Sequence, residues 1–81
     1  MDDESRDQVR LAILKVIKRG CTKYTDIENY ASVKCLNFAS RNIVVRQFYH
    51  YLVPKGFVER VSRGQYRLSK KGDRLLAVLS S

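Results

Sequence analysis

Asn42, Arg46, Tyr49 and His50 sit four, three and one positions apart in a stretch that ends before Pro54 and Gly56. On a helix these spacings put the four side chains on one side, opposite Val44, Phe48, Tyr51 and Leu52. Their chemistry is hydrogen bonding to polar edges. Arginine offers a planar fork of donors that matches guanine O6 and N7, and asparagine can pair with adenine. A second set follows at Arg60, Arg63 and Arg67, interleaved with Val61, Tyr66 and Leu68. That alternation suits a hairpin with one face on a core and one face toward phosphate. Asn37, Ser40 and Arg41 lie where this helix should start. There a hydroxyl or amide can either cap the helix or join the free backbone N–H groups in holding a phosphate.

Other chemistries find no footing, and we expect neither an enzyme nor a cofactor. His50 is the single histidine, no motif places a carboxylate to orient it, and there is no Gly-rich phosphate loop. Cys21 and Cys35 are 14 positions apart without further ligands, which argues against zinc. A free thiol pair and a disulfide within or between chains both stay open for them. Asp2, Asp3 and Glu4 cluster at the N-terminus, where they solvate the chain rather than bind metal.

The charge favours a polyanionic partner. Of 81 residues, 16 are Lys or Arg and 8 are Asp or Glu, a net charge of +8. Residues 1–30 hold six acids and six bases, so the whole excess falls in residues 31–81, where only Glu59 and Asp73 oppose ten bases. Such asymmetry points to nucleic acid, the commonest polyanion inside cells. A chain of this length buries only about 60% of its unfolded surface, enough for one compact core and not for a deep substrate cavity. No apolar run approaches the roughly 20 residues of a membrane span, and the acidic start lacks the features of a signal peptide. The expected location is the cytoplasm, on a nucleoid or in an infected host cell, with no membrane partner and no small-molecule ligand.

The elements that must position these residues follow from local signals. Residues 1–5 read as a mobile acidic segment. Ser5 to Gln8 has capping-box spacing, and Val9, Ala12, Ile13, Val16 and Ile17 form one apolar stripe, so the first helix covers about 6–19, closed by Gly20. Cys21–Tyr24 can form a short strand. Thr25 to Glu28 is a second capping box and opens a helix over 26–33. A third helix spans about 38–53. Strands in 57–68 turn at Ser62-Arg63-Gly64, and Ser69 caps a last helix over 70–80 with Leu75, Leu76 and Leu79 on its apolar face. The class is α+β, mainly α, in one domain over 6–81.

This order resembles a winged helix-turn-helix domain, and particular residues carry the resemblance. Phe48-Tyr-His-Tyr-Leu52-Val-Pro-Lys-Gly56-Phe57-Val58 looks like the end of that family's recognition helix and its entry into the wing. Tyr66-Arg-Leu68-Ser69-Lys-Lys-Gly72 resembles the wing exit of PadR-like and MarR-like regulators. With no further effector domain, the chain is most similar to the minimal winged-helix transcription regulators of archaea, their viruses and plasmids. The resemblance implies sequence-specific binding of double-stranded DNA. Asn42, Arg46, Tyr49 and His50 would enter the major groove, while Arg60, Arg63 and Arg67 would lie on phosphate or the minor groove.

Leu11 lies off the main stripe, and Val78 adds to Leu75 and Leu79 on the last helix. These residues suggest a homodimer through the first and last helices. Relatives of this type read two half-sites about 34 Å apart. The alternative of a different class is a winged helix used as an adaptor for RNA or protein, as in ribosomal or transcription-machinery subunits.

Overall fold

The computed structural model describes residues 3–81. They form a small, mainly helical α+β domain of four helices and a two-stranded antiparallel sheet. Helix α1 runs Asp3–Lys18 and buries Val9, Ile13, Leu14, Val16 and Ile17. It starts three residues before the expected position. Asp3 and Glu4 occupy its first turn, where carboxylates complement the helix dipole. Of the segment expected to be mobile, Asp3–Ser5 are therefore helical, and Met1 and Asp2 lie outside the described residues. Ser5 sits inside the helix instead of capping it.

Helix α2, Tyr24–Lys34, also starts early. The Thr25–Glu28 capping box lies within it, and Lys23 at the N-cap makes no side-chain cap. A tertiary bond supplies the partner instead, because the Tyr24 N–H donates to the Gly64 carbonyl at 3.0 Å. The short strand expected at Cys21–Tyr24 shrinks to one bridge between Lys23 and Gln65, beside a bond from the Tyr66 N–H to the Thr22 carbonyl at 2.8 Å. Cys21 and Cys35 are both free thiols; Cys35 is buried, and burial pushes its pKa up.

Helix α3, Arg41–Gln47, begins at the Ser40 cap, whose hydroxyl accepts the Ile43 N–H. A turn of π-helix, Phe48–Leu52, continues it, marked by a bond from the Val53 N–H back five residues to the Phe48 carbonyl at 3.0 Å. Phe48 and Leu52, four positions apart, both face the core, and Pro54, which has no N–H to donate, follows the turn's end. Strands β1, Val58–Ser62, and β2, Gln65–Leu68, pair with Val58 opposite Leu68, Glu59 opposite Arg67 and Arg60 opposite Tyr66. Gly64 makes the hairpin turn at a φ of +72°, a region that side-chain-bearing residues avoid.

Helix α4, Lys70–Ser80, is capped by Ser69, whose hydroxyl accepts the Gly72 N–H at 3.0 Å and donates to the Phe57 carbonyl at 3.1 Å. Leu75, Leu76 and Leu79 pack on the core formed by α1, α3, the π turn and the hairpin. Among the described residues, no helix is long and apolar enough to cross a membrane.

Candidate nucleic-acid interface

Asn42 and Arg46 are exposed on successive turns of α3. Arg46 has no ion-pair or hydrogen-bond partner among the described residues. On a regular helix Tyr49 and His50 would extend the same stripe. In the structure the two face different surroundings. His50 stays exposed beside Arg46, Gln47, Tyr51 and Arg10, while Tyr49 lies against the hairpin, its ring 5.1 Å from Tyr24 and 5.0 Å from Phe48. Sequence reading missed Arg10. Its Nε donates to Gln47 Oε1 at 2.8 Å and its guanidinium lies 3.5 Å over the Tyr51 ring, clamping α1 to the end of α3. Nothing local to α1 signals that contact, since both partners lie more than 35 residues away in the chain.

An open groove of about 590 Å³ lies between the start of α2, the π turn and the hairpin tip. Lys23, Arg60 and Arg63 supply three cations to it and no acid lines it; Tyr24, Tyr49 and Tyr66 form its aromatic wall. Arg63 and Lys23 have no side-chain partner among the described residues, whereas Arg60 Nε donates to the Ser62 carbonyl. Burial, followed by the nearby Glu28 charge, pushes the Tyr24 phenol up to about 12. Tyr49 is raised by burial first and then by its hydrogen bond with Tyr66. A phenol already keeps its proton at neutral pH, and these shifts hold both rings neutral to higher pH still. The β-favouring Thr22 and Tyr24 signal that this segment pairs with something, but nothing local marks Lys23 and Tyr24 as groove residues.

The hairpin register divides the three expected arginines. Residues opposite each other share a face, so Arg60 lies with Tyr66, Val58 and Leu68 on the side toward the body. Arg67 lies on the other face with Glu59 and is ion-paired to it at 3.1 Å. The three do not form one phosphate-facing row. At the start of α3, Arg41 donates to Asn29 at 3.0 Å and pairs with Glu28 at 3.5 Å. Ser40 is occupied as the cap, and Asn37 is exposed in the preceding turn, away from the cap position. Of the residues expected at a dimer contact, Leu75 and Leu79 pack on this chain's own core, Val78 is exposed, and Leu11 lines a recess beside Phe38.

Compared with family models, curated proteins and solved structures, the chain finds no match.

Proposed function

We propose that this chain binds double-stranded DNA as a winged helix-turn-helix domain and acts as a sequence-specific transcription regulator. In this reading α3 enters the major groove, the β1–β2 hairpin is the wing, and the Lys23–Gln65 bridge takes the place of a short third strand. One observation carries it: Arg46 is exposed and unpaired on α3, and Tyr49, on the π turn that continues α3, lines an acid-free groove that holds Lys23, Arg60 and Arg63. In this reading α3 would supply the base-reading contacts and the hairpin the positioning contacts on phosphate. Arg67, paired with Glu59, is left with a lesser part.

Titration of duplex DNA over a range of salt concentrations tests the wing. Arg63→Ala should lower the log–log salt slope by about 0.9, one phosphate contact. An unchanged slope removes the hairpin tip from the interface. The test of α3 is a selection of bound duplexes from a random pool, repeated with Arg46→Ala. Loss of a bidentate base contact should cost about 1–3 kcal/mol on the selected sequence and little on random DNA. Equal losses on both make Arg46 a phosphate contact, and a wild-type pool without any enriched sequence overturns sequence-specific regulation.

A further inference from the structure

A second surface differs in chemistry from the groove at the hairpin. Seven large apolar side chains are exposed among the described residues, and four of them, Tyr30, Val33, Leu36 and Phe38, fall within nine positions on α2 and the turn after it. Leu36 and Val33 are 76% and 71% exposed. Val33, Leu36 and Phe38 line one shallow surface together, and grouped apolar exposure on a small domain marks a contact surface. Beside it, α1 and the turn enclose a recess of about 170 Å³ floored by Leu11, Ala12, Val16, Cys35 and Phe38.

The rim of that recess is cationic. Lys15 lies in the last turn of α1 and Arg19 directly follows it, Lys34 faces them from the last turn of α2, and no acid lines the site. None of the three has a side-chain partner among the described residues. The other bases of α1 all do: Arg6 pairs with Asp3, Arg10 with Asp7 and Lys18 with Asp73. Acids are available on α1, yet the three cations around the recess are left unmatched.

We propose that this recess docks an acidic amphipathic segment of a partner protein, its apolar side chains on Leu11 and Phe38 and its carboxylates on Lys15, Arg19 and Lys34. Leu11 to Arg19 spans about 12 Å along α1 at 1.5 Å per residue, room for two turns of a helix anchored at i, i+3 or i+4, and i+7. A second copy fits less well. A two-fold contact through this face would set Lys15, Arg19 and Lys34 against their own copies. This surface shares no lining residue with the groove at the hairpin, so the proposal stands independently of DNA binding.

The probe is a fluorescein-labelled synthetic helical peptide of about 14 residues, roughly 21 Å long, with Glu on one face and Leu and Phe on the other. Fluorescence anisotropy should show saturable binding, at least about tenfold tighter than for a scrambled peptide of the same composition. The Lys15→Glu/Lys34→Glu double variant and, separately, Phe38→Ser should each weaken it by about tenfold or more while duplex DNA affinity changes less. Thermal melts confirm that both variants are folded. Four results would overturn the proposal: no binding, equal binding of the scrambled peptide, undiminished binding by either variant, or parallel loss of DNA in the double variant. A wild-type dimer in sedimentation that Phe38→Ser dissolves would instead assign the face to a second copy.

Discussion

Phe48→Ala should destabilise the domain by about 3–5 kcal/mol, the range for emptying a fully buried aromatic site. Phe48 is 1% exposed, and its ring centroid lies 5.2 Å from Tyr24, 5.0 Å from Tyr49 and 4.8 Å from Tyr66. It therefore joins the start of α2, the π turn and β2 at one point. The rings cannot close the void together, because each is held by a different backbone element, and the edge-to-face contacts with Tyr49 and Tyr66 are lost with the cavity unfilled. For 81 residues the total stability is on the order of 4–12 kcal/mol, so the change removes a large share of it. The melting temperature should fall by at least roughly 12 °C, at 4 °C or more per kcal/mol for a domain of this size. Circular dichroism measures it. Phe48→Leu, which refills part of the volume, should lose less than half as much. A loss below about 1 kcal/mol for Phe48→Ala would mean that the aromatic node does not hold these elements together.

Gly72→Ala is the second large effect, at a site where most helices would gain from alanine. The first turn of α4 lies directly on the start of β1, and a Cβ on Gly72 would overlap the Phe57 carbonyl oxygen. The obstacle is backbone, held by the Ser69 hydroxyl and by the bond from the Ser69 N–H to the same carbonyl. It cannot swing aside as a flexible side chain would. Pushing the helix off costs about 3 kcal/mol as over-packing. Alanine's helix propensity returns at most about 1 kcal/mol. A net loss of about 2 kcal/mol should lower the melting temperature by roughly 8–16 °C. An unchanged or higher melting temperature would show that α4 does not dock so closely. Ser69→Ala, losing the cap and the hydroxyl's bond to the backbone before β1, should cost about 1–2 kcal/mol.

Both positions meet the hairpin on the face that carries Tyr66 and Leu68, and between them they orient it. Phe48 supports Tyr66 from below, while Gly72 lets α4 seat against the residue that leads into β1. The exposed cations of the proposed interface, Lys23, Arg60 and Arg63, depend on that seating. None of the three has an ion pair among the described residues.

Much of the fold is legible locally. The apolar positions Val9, Ile13, Val16 and Ile17 are buried as their spacing requires, and so are Val44, Phe48 and Leu52. Ser40 and Ser69 cap the helices they precede, and Gly64 turns the hairpin. Each of these signals acts over four residues or fewer, a distance at which neighbours in sequence are neighbours in space. The exposure of Asn42, Arg46, Tyr49 and His50 follows from the same periodicity.

What the tertiary structure decided involves partners far apart in the chain. The start of α2 moved to Tyr24 because the carbonyl of Gly64, forty residues on, took the place of a side-chain cap. Strand register put Arg60 and Arg67 on opposite faces, since a shift of one residue reverses every side chain and no turn residue states that parity for a bulged hairpin. Tertiary packing set Tyr49 against Tyr24 and left His50 beside Arg46 and Arg10. Packing also decided which apolar surface remained available: Leu75 and Leu79 were used within the chain, whereas Val33, Leu36 and Phe38 were left outside. The sequence alone thus determined which residues are apolar, charged and helical; only the folded chain determined which of them meet, because burial is shared out by the whole core at once.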